Sequence, residues 1–241
     1  NATAAGAGGT LSKMAFSNNA AICQLDFLVG RHGIRAESSE IDTASWIAAA
    51  NISDEGVALF GGGTQKRYTA DGVASSNVRP VDVLEGMLTA SAGAIIYQQG
   101  KYFGYAGVFT TPIVALNEDD LRGPISIQTK PSRRDLFNAI RGTFIDAANF
   151  YQATDFTPRT SAVYEAQDGN VRIYHDIELP FTTNNVRAQR IAKIYLERGR
   201  RSRTASFPAK LTALELASWD TVIVNVEALS WKDEVFRVVG W

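Results

Sequence analysis

Between Asn184 and Arg200 the residues Ala188, Ile191 and Tyr195, with Ala192 and Leu196 alongside, recur at the spacing of one helical face. Further on, Val222, Val224 and Val226 alternate with Ile223 and Asn225, the period of a strand with one buried face. A long amphipathic helix and a half-buried strand in the same short stretch need each other, or other layers, to cover their apolar sides. An all-α or all-β chain does not supply both periods, so the expected fold class is α+β.

The same reasoning runs along the rest of the chain. Asn18 or Asn19 can cap a helix whose face is Ala21, Leu25 and Leu28 and which ends at Gly30. Asp42 caps a second helix through Trp46 that stops between Asn51 and Gly56, and Pro80 opens a third, where its missing N–H is not needed. Gly61-Gly62-Gly63 is a break, after which Lys66–Thr69 and Val73–Ser75 read as a hairpin about Asp71-Gly72. A second hairpin joins Ala94–Gln98 to Lys101–Tyr105 through Gln99-Gly100.

Strands are expected at 125–129, 138–145, 161–166 and 171–177, the last two joined by an Asp168-Gly169 turn, with a loop at 146–158. More strands are expected at 203–207, 220–226 and 234–239. This gives three expected domains: mixed helix and short strand over 1–106, β-rich over 107–180, and a long helix plus strands over 181–241. The Ala/Gly/Thr stretch 1–10 reads as a flexible lead-in, and the start at Asn1 without a Met reads as a processed or excerpted chain.

Chemistry is sparse. A formal net charge of -1 gives no general electrostatic case for nucleic acid or an anionic membrane. No apolar run approaches the roughly 20 residues that span a bilayer, and no signal-peptide layout is present. The single Cys23, among Ala20, Ala21, Ile22 and Leu25, reads as a small buried residue rather than a reactive thiol. His32 lies in a polar turn and His175 in a strand, and no metalloprotease helix, nucleophile elbow or Cys/His pairing accompanies them. Glu118-Asp119-Asp120 lacks EF-hand spacing, and the glycine runs at 6–9 and 61–63 lack the Lys-Ser/Thr of a phosphate loop. Asp155, Glu165 and Asp176 are the carboxylates a glycan hydrolase would have to use, and the sequence gives them no partners. No catalytic residue, cofactor or metal is expected.

Two features read as candidate interfaces. Arg198, Arg200, Arg201 and Arg203 crowd the end of the long helix, where cations complement the macrodipole; they also suit a clamp on an acidic partner or a nucleic-acid path. No aromatic interleaves with them in sequence, which disfavours single-strand binding. Phe150, Tyr151 and Trp231, with the Tyr102-Phe103-Tyr105 run, are aromatics that suit either a subunit interface or the core.

Three stretches taken in order carry a resemblance. The first is Asn19-Ala20-Ala21, Leu25-Asp26-Phe27-Leu28, Arg31-His32-Gly33 and Ile41-Asp42. The second is Arg79-Pro80-Val81-Asp82-Val83-Leu84-Glu85-Gly86-Met87-Leu88 with Ala92-Gly93 and Gly100-Lys101. The third runs from Glu178-Leu179-Pro180-Phe181 through Arg187-Ala188-Gln189-Arg190 and Leu196-Glu197-Arg198 to Phe207-Pro208, Leu211 and Trp219-Asp220-Thr221-Val222. From about Asn18 to Trp241 the chain resembles the tip-attachment, or host-specificity, family of long-tailed, lambda-like phages. Two departures are Ala20 where that family often has Pro, and Trp219 where it has Gly.

The resemblance implies a non-enzymatic virion component: a homotrimeric hub with barrel-like elements that closes the tail tube. It further implies contact with distal tail or tail-tube proteins, the tape-measure protein and receptor-binding fibre elements. Roles in host attachment and genome delivery, and contact with the host cell surface, belong to the same expectation. Stable nucleic-acid binding does not. The competing reading is a stand-alone carbohydrate- or receptor-binding module using Trp46, Trp219 and Trp231.

Overall fold

A computed structural model describes residues 16–129, 136–201 and 203–240. The expected lead-in over 1–10 lies outside them. In chain order the helices are α1 (Ala20–Val29), α2 (Thr43–Asp54), α3 (Pro80–Thr89), α4 (Ala162–Gln167) and α5 (Asn185–Arg200). The strands of the first half are β1 (Gly56–Ala58), β2 (Thr64–Lys66), β3 (Ala94–Gln98), β4 (Lys101–Tyr105), β5 (Val114–Leu116) and β6 (Ser126–Gln128). Those of the second are β7 (Ala139–Asp146), β8 (Gln152–Asp155), β9 (Arg159–Thr160), β10 (Tyr174–Leu179), β11 (Thr204–Ser206), β12 (Thr221–Val226) and β13 (Trp231–Arg237). Helices and sheets share the chain, so the α+β class holds.

The chain divides into two compact units, each assembled from separated segments. The first takes residues up to Gly107 with Phe137–Leu196. Its helices are fixed by buried polar side chains as well as by apolar packing. Asn19, wholly buried, accepts from the N–H groups of Ala21 and Ile22 and donates to the Ala50 carbonyl at 2.9 Å, so the cap of α1 also ties α2 to it. Gln24 donates to Met87 O at 2.9 Å and Ser91 Oγ at 3.0 Å, joining α1 to α3. Trp46 of α2 lies flat on β4 because Gly104 has no side chain there; a Cβ at that position would come within 2.6 Å of the ring.

A four-stranded sheet has the order β10-β7-β8, with β9 also on β7; β10 runs parallel to β7, and β8 and β9 antiparallel. Ala188, Ile191, Ala192 and Leu196 of α5 enter the same core as Ile140, Phe144, Phe156 and Leu179. Asn184 caps α5 by accepting from Arg187 N at 3.1 Å.

The second unit takes Val108–Leu136 and residues from Glu197 onward. Its sheet has the order β13-β12-β5, with β12 antiparallel to β13 and parallel to β5, and β6 pairs with β11 alongside. Val222, Val224 and Val226 are 4%, 2% and 3% exposed, as their alternation requires, and pack with Leu116, Leu216 and Trp231. The β7–β8 and β12–β13 connections are built alike. Each is a three-residue 3-10 turn (Ala147–Asn149 and Glu227–Leu229) followed by a left-handed residue, Phe150 at φ 51° and Ser230 at φ 54°.

Several expectations are corrected. The first hairpin is not 66–75 but β1–β2, which turns through Gly62 and Gly63 at φ +90° and +81°, angles that favour glycine. The expected strand at 161–166 is instead helix α4, Ala162–Gln167, because the Ser161 hydroxyl accepts from Tyr164 N and caps it. The Asp168-Gly169 turn therefore closes a helix rather than a hairpin, and β10 pairs parallel with β7 instead. The expected loop at 146–158 contains β8. Among the described residues the sheets are open, with two to four strands, and no barrel closes. Where the sequence reading expects three consecutive domains, contacts define two units of interleaved chain, because strands pair across long sequence separations.

Candidate functional site

The chemistry-bearing residues of the second unit converge on two tryptophans. The last turn of α5 carries Arg198 and Arg200, where positive charge complements the helix dipole. The Arg198 guanidinium lies over the Trp219 ring at 5.4 Å, and that of Arg237, from the end of β13, lies over it at 4.5 Å. Arg203 lies 6.0 Å from the Trp231 centroid and 3.9 Å from Glu234, a long ion pair between half-exposed side chains. Arg201 is exposed.

Burial, and next the charge of Arg198, lower the pKa of Arg237, and its buried Nε has no hydrogen-bond partner.

Trp219 occupies a left-handed backbone position, φ +80°. Its N–H donates to Val238 O at 2.7 Å, and the neighbouring Asp220 carboxylate accepts from Ala217 N at 2.7 Å, so the turn into β12 is locked on both sides. Glycine, the residue of the resembling family at this position, takes that conformation without strain. The tryptophan takes it while its ring packs under two guanidiniums.

The structure separates the other sequence candidates. Phe150 and Tyr151 are 88% and 67% exposed at the tip of the β7–β8 connection. Trp231 is 8% exposed and tilted against Phe236 at 5.2 Å, so it is a core residue of the second unit rather than an open interface aromatic. Trp46 is 3% exposed. The statement that no aromatic interleaves with the arginines holds only along the chain; in space Trp219 and Trp231 do. No local signal links Trp219 or Arg237 to the arginines around 200, since the fold alone brings them together.

The carboxylates of the hydrolase reading are not all unpartnered. Asp176 is bridged to Arg141, with Nε–Oδ1 at 2.6 Å, and Glu165 to Arg172, with Nε–Oε1 at 2.7 Å. Hydrogen bonds from these arginines hold both carboxyl groups below their usual range. A general acid needs the opposite shift. Asp155, Asp176 and Glu178 do line one open concavity of about 580 Å³, with Arg141 among them, while Glu165 is not part of it.

His32 accepts from Arg31 Nε at 3.0 Å, and His175 stacks on Phe137 at 4.8 Å. Glu118 and Asp120 are occupied in capping: Glu118 Oε1 accepts from Ala228 N and Asp120 Oδ2 from Asn117 N. Among the described residues no cluster of His, Cys, Asp and Glu has the arrangement of a metal site, and no helix is long and apolar enough to cross a membrane.

A family model described as "Putative phage tail protein" matches residues 82–241, which take in the whole four-stranded sheet of the first unit, α5 and the arginine–tryptophan cluster. The chain belongs to this phage tail family. The match begins at Asp82, so the first of the three resembling stretches and the start of the second, Arg79–Val81, lie upstream of it.

The chain is also similar to the Baseplate hub protein pb3 of Escherichia phage T5. It is 26% identical over 157 residues, covering 64% of this chain and 16% of that protein. A chain in the virion of a native gene transfer agent particle shares the fold, with a TM-score of 0.53 and 16% identity over 96% of this chain and 50% of that one. A 43 kDa tail protein of prophage MuSo2 from Shewanella oneidensis reaches a TM-score of 0.43 at 16% identity, over 66% of this chain and 48% of that one. The chain therefore spans a sixth of the curated relative's length and half of each of these structural neighbours.

Proposed function

We propose that this phage tail family member is a non-enzymatic structural component of a tail hub in a phage or phage-like virion. In this reading it assembles as a homotrimer that closes the tail tube. It contacts distal tail or tail-tube proteins and the tape-measure protein on one side and receptor-binding fibre elements on the other, and so takes part in host attachment and genome delivery. The observation that carries the reading is the 26% identity to a baseplate hub protein, within a chain whose family is that of phage tails.

The surface is in keeping with it. Phe60 at the β1–β2 tip, fully exposed, and Phe150 and Tyr151 at the β7–β8 tip have little cover from their own chain, as residues do that are completed by neighbours. The carbohydrate-module reading would need open tryptophan faces, and Trp46 and Trp231 are buried while Trp219 lies under two guanidiniums.

The deciding experiment is the native mass of intact tail tips containing this chain. A three-fold assembly with other tail proteins attached is the expected result. A monomer that remains single at high concentration and is absent from tails would defeat the proposal.

A further inference from the structure

We infer that Phe150 and Tyr151, at the tip of the β7–β8 connection, form a rigid anchor that seats in an apolar pocket of a different tail protein. The inference rests on the tail reading for its setting and on the geometry of the tip for the chemistry of the partner.

The backbone of the tip is held in place. Asp146 accepts from Ala148 N at 2.9 Å through its carboxylate and from Tyr151 N at 2.9 Å through its carbonyl. Phe150 and Tyr151 then sit at φ 51° and 58°, a left-handed conformation that bulky residues rarely adopt. The β12–β13 connection makes the same turn with Ser230 at the left-handed position, and the aromatic after it, Trp231, is buried. A phenylalanine is therefore not needed to build the turn. At the β7–β8 tip both aromatics are left uncovered, at a backbone strain that the turn itself does not require.

The surroundings select the partner. Residues 147–153 are all exposed and none is charged, so the tip offers no ion pair to an acidic or basic surface. The two rings present roughly 300 Å². A stable interface needs roughly 800 Å² per partner, so they anchor a larger contact rather than form a dimer interface of their own. Two concavities on this chain, of about 620 and 580 Å³, are lined by Glu118, Lys232 and Asp233 and by Arg141, Asp155 and Asp176. Rings seated there would bury charge, which disfavours a second copy as the receiver. A bilayer fits less well too, because it needs no fixed backbone and the tip carries no lysine or arginine to meet anionic headgroups. A preformed pocket gains from a tip already ordered, since less freedom is lost on docking. Such a pocket is uncharged and holds an acceptor for the Tyr151 hydroxyl.

The test places a photo-crosslinking benzophenone side chain at position 150 of the full chain and irradiates intact tails. A cross-link to apolar residues of a different tail protein, identified by mass spectrometry, is the expected result. F150S/Y151S should keep its native circular dichroism and enter tails about ten-fold or more less than the parent, with Y151F intermediate. Should the double variant unfold, Y151S alone gives the same reading with a smaller loss. Cross-linking to a second copy of this chain, cross-linking to no protein, or undiminished entry of the folded variant overturns the inference. So does flotation of the chain with phosphatidylcholine/phosphatidylglycerol vesicles that F150S/Y151S loses. A chain present in tails that gives any of these results leaves the hub proposal standing, whereas a chain absent from tails defeats both.

Discussion

The Arg237 guanidinium lies 4.5 Å from the centre of the Trp219 ring, and that ring is carried on a backbone at φ +80°. A tryptophan in the left-handed region is strained by roughly 1–2 kcal/mol. Its ring returns the cation–π contacts, about 0.5–2 kcal/mol each, and some apolar burial. The two contributions are separable by substitution. Trp219→Ala loses the ring and keeps the strain, whereas Trp219→Gly loses both. Both variants should be less stable than the parent, with Gly above Ala by about 1 kcal/mol in denaturant unfolding. Equal stability of the two would show that the backbone strain is not real.

Gly104 and Trp46 should be coupled. A Cβ at Gly104 would lie 2.6–2.8 Å from the indole ring, so Gly104→Ala is expected to cost about 2–3 kcal/mol by overpacking. In a Trp46→Leu background the same change should cost clearly less, since the clashing ring is gone. Strict additivity in the double-mutant cycle would mean that the ring and the strand do not press on each other.

The Cys23 thiol is pushed up in pKa by burial first, then by the nearby Asp71 and Asp26 carboxylates. Its Sγ donates to Ser17 O at 3.4 Å. Alkylation of the folded chain near pH 8 should be about ten-fold or more slower than in denaturant, and should accelerate as pH rises past the ordinary thiol range. Rapid labelling of the folded chain at pH 8 would contradict this.

Glu165 and Asp176 are both held below the usual carboxylate range, Glu165 by its hydrogen bond from Arg172 and Asp176 by that from Arg141. A carboxyl whose folded pKa is depressed adds stability above its unfolded pKa, about 4, and loses it as pH falls through the folded value. E165Q and D176N should therefore melt below the parent at pH 7, with the gap closing below about pH 4 and shrinking in salt because the pairs are exposed. A gap that stays constant down to pH 2–3 would assign the loss to packing instead.

Much of this fold was legible in local signals, and the reasons are specific. Asn19, Asp42, Pro80 and Asn184 mark helix starts because each answers an immediate need for a capping acceptor or for a residue without an N–H. Gln99-Gly100 turns the β3–β4 hairpin, and Gly100 takes its φ of 75° without strain. The order of motifs was enough to point to a phage tail family. Residues 161–166 misled because Ser161 has two uses, extended residue or cap, and only the arrangement around β7 selects the second.

The sequence by itself determined where α1, α2, α3 and α5 form, which face of α5 and β12 is apolar, and that no familiar catalytic motif is present. Tertiary structure decided the partners. Val222 pairs with Val114, and Tyr174 runs parallel to Ala139. Trp231 went to the core, and Arg198 met Arg237 over Trp219. Periodicity records that a face must be buried but not what buries it, because pairing depends on segments far apart in the chain, brought together only when the whole core closes.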